Sequence, residues 1–300
     1  MHISVLLNEA IEYLNLKDSS TVVDMTLGYG GHSSLILKEI KKGFLFAFDQ
    51  DEEAIKASEV KLKKIGNNYK IIKSNFVKIK NYVKQADAIL YDLGVSSPQL
   101  DEKERGFSFH QDYELDMRMD KSNPLTAKII ANEYPYEKLI KIFREYGEEK
   151  YASSIAKKIV EERKTKEINT TLELVDIISS SVPFKYKREH HPARKVFQAI
   201  RIEVNDELNV FEKSLKDALD VLNVGGRVCV ITFHSLEDRI CKKIFKEYSE
   251  IDNNLKKLPI IPEDKMPSFK LITKLTPSKE EIEQNPRSRS ATLRVIEKIK

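Results

Sequence analysis

Glycines and an aspartate in the N-terminal part of the chain have the types and spacing of a nucleotide-binding site. Gly28, Gly30 and Gly31 lie between a short β-branched run and a segment typical of a helix. Glycine lets the backbone approach a ligand closely, and a helix N-terminus offers N–H groups. Asp49 follows Gly28 by about 20 positions, the spacing expected for a carboxylate that accepts hydrogen bonds from ribose hydroxyls. These residues favour a nucleotide-like cofactor. They leave its identity open, because Ser33 stands where G-x-G-x-x-G has its third glycine.

A second carboxylate, Asp92, ends the strand predicted at 86–92 and precedes a polar loop at 93–101. A strand predicted at 227–233 delivers His234 to the same edge. Ligands of open parallel sheets bind outside the carboxyl ends of the strands, so we expect Asp49, Asp92 and the glycine turn to lie together. His32 and His234 fit structural roles as well as functional ones. No group of His, Cys, Asp and Glu has the spacing of a metal site, so no metal is expected.

The elements that must position these residues alternate between strand and helix patterns. This alternation predicts an α/β protein with an open, mostly parallel sheet and helices on both faces. From Thr126 the apolar period changes to 3.6, which predicts a helical insertion of roughly eighty residues. The sheet pattern then returns. Asn205 is expected to cap a helix over 206–222, and 291–298 has the alternation of a last strand.

Composition excludes several classes of protein. The chain has 300 residues, of which 41% are hydrophobic and 8% aromatic, so it is not largely disordered. No apolar run approaches the roughly 18–20 residues that span a bilayer, and the N-terminus lacks the pattern of a secretory signal. Two cysteines cannot build a disulfide framework. A cytoplasmic protein without membrane contact is the simplest interpretation.

The net charge of +4 is small, but basic residues cluster between positions 185 and 201. A cluster of this kind suits phosphate contacts, and the alternative is a solvated helix face. Phe107 and Phe109, close to Arg105, could stack on a base or anchor a loop against a core. Arg287 and Arg289, near the C-terminus, could likewise touch phosphate or lie in a solvated loop.

Ten motifs occur in an order that resembles the RsmH (MraW) family of methyltransferases. They include DMTLGYGGHS at 24–33, DLGVSSPQL at 92–100, RGFSF at 105–109 and FHSLEDR at 233–239. The others lie at 5–9, 115–119, 191–193, 197–202, 204–205 and 285–290. One departure is Asp112-Tyr113-Glu114, where the family more often has a Gly-Pro pair. The likeness covers almost the whole chain.

The resemblance implies a class I methyltransferase sheet with an inserted all-helical domain for substrate recognition. The expected domains are 1–109 and 196–300 for the methyltransferase and 110–195 for the insertion. The implied reaction moves a methyl group from S-adenosylmethionine to the exocyclic N4 of a cytosine in 16S ribosomal RNA, in the decoding region. The implied partner is small-subunit ribosomal RNA or the 30S subunit, and a homodimer stays open. Carried over by position, the cofactor contacts are Gly30, Gly31, His32, Asp49, Phe76, Asp92 and Gln99.

Asp92 is also the predicted catalytic residue, as the acceptor of a hydrogen from the target amine. The residues predicted to hold the RNA backbone are Lys185, Arg188, Arg194, Lys195, Arg287 and Arg289. Two other classes compete with this interpretation. The strand-turn-helix unit also suits a nicotinamide oxidoreductase, although the missing third glycine weighs against it. A non-enzymatic RNA-binding protein would share the basic cluster, but it would have no need of Asp49 and Asp92 at strand ends.

Overall fold

The chain forms two compact units in the computed structural model, which describes residues 4–94, 105–189, 191–251, 255 and 262–300. The first, the sheet unit, consists of Met1–Gly94 and Leu208–Lys300. The second, the helical unit, is Val95–Glu207. The chain therefore leaves the sheet after its fourth strand and returns to it for the fifth, as the change of apolar period predicted.

Within the described residues, the sheet unit contains seven strands in the order β3-β2-β1-β4-β5-β7-β6. The strands are β1 Thr21–Asp24, β2 Phe44–Asp49, β3 Tyr69–Lys73, β4 Ala86–Asp92, β5 Leu222–Thr232, β6 Phe269–Leu275 and β7 Thr292–Lys298. Neighbouring strands from β3 to β5 are parallel, and β7 runs antiparallel to both β5 and β6. The predicted α/β class, an open and mostly parallel sheet with an inserted helical region, is confirmed.

Helices cover both faces of this sheet, which explains its near-continuous apolar strands. The helices of the sheet unit are α1 Leu7–Leu14, α2 Gly31–Glu39, α3 Glu52–Leu62, α10 Glu207–Val221, α11 Ser235–Ser249 and α12 Lys279–Gln284. One face packs Val23, Ile89 and Cys241 into its core, and the other packs Val22, Leu90 and Cys229. Both cysteines are free thiols and fully buried.

The helical unit has its own hydrophobic core. Its helices are α4 Ala127–Glu133, α5 Tyr136–Glu145, α6 Ala152–Glu162, α7 Thr171–Ser180, α8 Phe184–Glu189 and α9 Ala193–Asn205. The unit extends beyond the predicted insertion of 110–195 at both ends. Phe107, before the predicted start, and Ile200, after the predicted end, are both buried in the helical core. The apolar face of α9 therefore assigns that helix to this unit. No helix in the described ranges is long and apolar enough to cross a membrane.

The prediction that Asn205 caps the following helix is wrong. Asn205 is the last residue of α9, and Asp206 ends that helix in the left-handed region at φ 51°. The Asn205 side chain accepts a hydrogen bond from Met119 N at 2.8 Å and donates to Met117 O at 2.9 Å. It thus ties α9 to a preceding loop. Strand β5 also begins at Leu222, earlier than the predicted 227, so the pair Gly225-Gly226 lies within the strand.

Candidate active site

The glycine turn between β1 and α2 adopts backbone conformations that side chains resist. Gly28 has φ +49° and Gly30 has φ +73°, both in the left-handed region. A Cβ on Gly31 would lie 1.9 Å from Ser4 Oγ, so a side chain there would require Ser4 to move. Gly28 O accepts a hydrogen bond from Ser58 Oγ at 2.6 Å. The turn is therefore a narrow backbone cradle, held from behind by α3.

Asp49 ends β2 and fastens the glycine turn to the next strand. Its Oδ2 accepts from Gly28 N at 2.8 Å, and its Oδ1 accepts from Asp51 N at 2.9 Å. Burial raises the pKa of Asp49 to about 6, with a smaller contribution from the charge of Asp51. Each carboxylate oxygen has a second lone pair. The side chain can thus accept hydrogen bonds from two hydroxyl groups of a ligand.

Asp92 ends β4, which lies on the other side of β1 from β2. Its backbone N donates to Thr26 Oγ1 at 2.7 Å, and its Oδ2 lies 3.5 Å from His32 Nδ1. The side chain is 22% exposed, but Oδ1 is buried and has no hydrogen-bond partner among the residues that the structure describes. Burial raises the pKa of Asp92 to about 7, and the negative charges of Asp24 and Glu237 add to this rise. The carboxylate is poised between its two protonation states near neutral pH.

Asp24 and Glu237 are functional candidates that the sequence reasoning missed. Asp24, at the end of β1, is 1% exposed and accepts from Ser33 Oγ at 2.6 Å. Its position could have been found, because it ends a strand just as Asp49 and Asp92 do. Burial also raises the pKa of Asp24. Glu237 gives a weaker signal, since only its place three residues after His234 at the start of α11 suggests a capping role.

His234 lies at the N-terminus of α11, beside Glu237. Glu237 Oε2 accepts from Phe233 N at 2.8 Å, and Glu237 Oε1 lies 3.0 Å from His234 Nε2. The pair closes the first turn of α11. His32 is buried at the start of α2, beside Asp92.

The remaining predicted cofactor residue in the described part of the chain is Phe76. It begins a short 3₁₀ helix, Phe76–Asn81, directly after β3. Its half-buried ring meets Tyr91 edge-on, with centroids 5.8 Å apart. Gln99 lies outside the described residues. The sheet unit thus brings the predicted cofactor residues to the carboxyl ends of β1, β2, β3 and β4: Gly30, Gly31, His32, Asp49, Phe76 and Asp92.

The predicted RNA contacts are distributed over both units. Lys185 and Arg188 lie on α8, and Arg194 and Lys195 lie on α9, in the helical unit. Of these, Lys195 Nζ donates to Glu148 O at 2.8 Å. Arg287 and Arg289 lie on a 3₁₀ helix, Pro286–Ser290, in the sheet unit and are exposed.

One residue of the basic cluster at 185–201, Arg201, forms an ion pair. Arg201 pairs with Glu207 through two hydrogen bonds of 2.9 Å, so its charge is locally compensated. Phe107 is a loop anchor, since it is buried in the helical core beneath the Arg105 guanidinium. Phe109 is half-buried and contacts other rings.

Comparisons with known proteins show the family of the chain. The model of the MraW methylase family matches residues 1–299. Ribosomal RNA small subunit methyltransferase H of Exiguobacterium sibiricum is 49% identical over 307 residues, covering 100% of this chain and 98% of the relative. Among solved structures, an rRNA methylase from Streptococcus thermophilus has 14% identity and a TM-score of 0.47, with 100% of both chains covered. TrmN from Thermus thermophilus has 11% identity and a TM-score of 0.44, covering 98% of this chain and 48% of that one.

Proposed function

Because the chain belongs to the MraW methylase family, we propose that it transfers a methyl group from S-adenosylmethionine to N4 of a cytosine in the decoding region of 16S ribosomal RNA. The full-length identity of 49% to a small-subunit rRNA methyltransferase carries this conclusion. It confirms the resemblance drawn from the motifs and removes the nicotinamide oxidoreductase and the non-enzymatic RNA-binding protein. An rRNA substrate is consistent with action in the cytoplasm.

The residues at the carboxyl edge of the sheet fit S-adenosylmethionine. Asp49 offers acceptor lone pairs for the ribose hydroxyls, and Phe76 offers a half-buried ring for the adenine. The glycine turn brings backbone, without side chains, against the ligand. When bound, the cofactor supplies an electrophilic methyl group on a positively charged sulfur. The buried acids Asp24 and Asp92 suit such a positive charge.

In this proposal Asp92 orients the target amine. The lone pair of cytosine N4 is delocalised into the ring, so the amine is a weak nucleophile. Asp92 Oδ1, which lacks a described partner, accepts one N4 hydrogen and turns the lone pair towards the methyl group. The nitrogen gains positive charge as it is methylated, its two protons become acidic, and it loses one of them to give the neutral N4-methylated base. Asp92 Oδ1 then holds the proton that N4 loses.

The surroundings of Asp92 favour this role as proton acceptor. A carboxylate with an ordinary pKa near 4 is a weak base at neutral pH, whereas the pKa of Asp92 is raised to about 7. Burial is the largest cause, and the charges of Asp24 and Glu237 act in the same direction. Asp24 and Glu237 are therefore positioning residues in the proposal, since they act through Asp92.

The RNA must be held while its cytosine leaves the base stack. We assign this task to the surface cations Lys185, Arg188, Arg194, Lys195, Arg287 and Arg289. Phosphate contacts of this kind are independent of sequence and weaken with salt. The choice of one cytosine must then come from the fold of the RNA and from contacts with its bases.

The experiment that tests the function is methyl transfer from labelled S-adenosylmethionine, followed by nucleoside analysis of the RNA. Small ribosomal subunits and naked 16S rRNA are compared as substrates, and N4-methylated cytidine is expected. Label in another nucleoside would keep the methyltransferase and overturn the target atom. No label with either substrate, although the cofactor binds, would overturn the proposed acceptor.

A further inference from the structure

Three aromatic rings form a cluster at the surface of the helical unit. The rings of Phe109 and His191 have centroids 4.4 Å apart and an angle of 32° between their planes. His110 lies 4.4 Å from Phe109 and 5.2 Å from His191, measured between ring centroids. His110 and His191 are exposed residues, and Phe109 is half-buried. We call Phe109, His110 and His191 the ring cluster.

The ring cluster is fixed to the core beneath it. The buried ring of Phe197, on α9, meets Phe109 edge-on at 5.7 Å and 82°. Phe109 is thus held between a core residue and two histidines that reach solvent. Burial lowers the pKa of His191, and the nearby His110 lowers it further. Both effects favour the neutral form of the His191 ring.

Cations flank the ring cluster along the chain. Arg188, on α8, precedes His191 by a short link, and Arg194 follows it in the turn closed by Arg194 N donating to His191 O at 3.2 Å. Both arginines are exposed. Exposed ring faces beside exposed cations are the chemistry of single-stranded nucleic-acid sites, where bases stack and phosphates are neutralised. An acidic peptide would use the cations but not the ring faces.

We propose that the ring cluster of Phe109, His110 and His191 is a stacking site for an unpaired nucleobase of the RNA substrate. This inference rests on the proposed function for the identity of the ligand. It adds a base contact to the phosphate contacts already assigned, and it gives the helical unit a way to distinguish an unpaired strand from a duplex.

The test measures the affinity of a single-stranded RNA oligonucleotide that carries 2-aminopurine, whose fluorescence reports stacking. His191→Ala and His110→Ala remove rings, whereas His191→Phe and His110→Phe keep them. Stacking of one base on an aromatic ring contributes roughly 1–3 kcal/mol, so each alanine variant should weaken binding about tenfold and each phenylalanine variant much less. The slope of affinity against salt should stay unchanged, because the cations that neutralise phosphates are all retained.

Phe184→Ala is the matched control. Its ring is 75% exposed, lies in the same unit on α8, and has no ring partner among the described residues. Equal loss of affinity in Phe184→Ala, a reduced salt slope in His191→Ala, or unchanged affinity in both alanine variants would overturn the proposal. Thermal melting checks that each variant is folded, and His110→Ala changes an exposed side chain only.

Oligonucleotide binding needs no turnover, so the result is separable from that of the methyl-transfer assay. If the oligonucleotide stacks on the ring cluster but no N4-methylated cytidine forms, this inference holds and the proposed function is wrong. In the active enzyme the alanine variants should raise the KM for RNA and leave kcat and cofactor affinity unchanged.

Discussion

The sheet unit and the helical unit carry charge in opposite ways. At the carboxyl edge of the sheet, Asp24 and Asp92 are held by strand register, and burial raises the pKa of both. On the helical unit, Arg188 and Arg194 lie in water on helix surfaces. Burying a charge is unfavourable unless it is compensated, whereas a solvated charge carries little penalty. A few charges at fixed positions suit a reaction centre. Several solvated charges suit the binding of a long polyanion such as RNA.

The largest expected effect follows from removing the charge at the end of β4. Asp92→Asn should lower the single-turnover rate of methyl transfer about 100-fold or more at saturating cofactor, because the amide cannot take the amine proton. RNA affinity, which we assign to surface cations, should be unchanged. Rapid-quench assays with labelled cofactor measure the rate, and oligonucleotide binding measures the affinity.

The control for this variant is Asp18→Asn. Asp18 belongs to the same unit, but it is exposed and pairs with Lys42 at 3.0 Å. Its removal should leave the rate unchanged. A near-normal rate in Asp92→Asn would exclude Asp92 as the proton acceptor. A loss of RNA affinity in that variant would contradict the assignment of RNA binding to the surface cations.

A smaller effect is expected from the helical unit. Charge reversal of Arg188 and Arg194 to Glu should raise the KM for RNA about tenfold and leave kcat near normal. The slope of log KM against log salt should fall, by roughly 0.7 for each phosphate of a single strand that the protein ceases to neutralise. The matched control reverses Lys141 and Lys157, two exposed lysines of α5 and α6. An unchanged salt slope, or an equal change in the control, would count against the assignment of the phosphate-binding residues.

The smallest expected effect is on the stability of the protein. It distinguishes the two units by how the free energy of unfolding depends on pH. The pKa of Asp92 is raised to about 7 and that of Asp49 to about 6, so folding favours their protonated forms. Their stabilising contribution is complete below about pH 4 and diminishes as the pH rises through 6 and 7. Asp92→Asn avoids part of this decrease. Its free energy of unfolding relative to the wild type should therefore rise between about pH 5 and pH 8, by on the order of 1–2 kcal/mol.

Urea unfolding of the cofactor-free protein at several pH values measures this difference. Arg188→Glu serves as the comparison variant, since its side chain lies on the other unit and is exposed. Its free energy of unfolding should follow the wild type across the same range. Parallel curves for Asp92→Asn and the wild type would show that the Asp92 carboxyl group titrates normally.

Much of the sheet unit was predictable because the end of a buried strand is recognisable in a sequence, as a polar residue after an apolar run. Asp49 and Asp92 each follow an apolar run, and parallel strands deliver their carboxyl ends to one edge. Spacing alone therefore predicted that they would lie together. The roles of Gly30, Gly31 and Phe76 came from the family resemblance, and Phe76 by itself would pass as a core residue. Glu237 escaped notice because its link to Asp92 is electrostatic and spans many residues of chain.

The helical unit was predictable in kind but less so in detail. Its period of 3.6 was visible from Thr126, yet its end was placed at 195 although α9 continues to Asn205. Asn205 suits a helix start by residue type, but the left-handed Asp206 and two bonds to the 117–119 backbone place it at a helix end. The pairing of Arg201 with Glu207 was equally hidden, since a charge count does not report which charges meet.

The two buried cysteines make the opening of the sheet unit measurable. Cys229 and Cys241 are the only thiols of the chain, and they lie in the cores on opposite faces of the sheet. Burial raises the pKa of both thiols, so the native protein should be inert to alkylating reagents. The rate of alkylation at each cysteine therefore reports how often the corresponding face of the sheet unit opens. The helical unit contains no thiol, and its openings are silent in the same experiment.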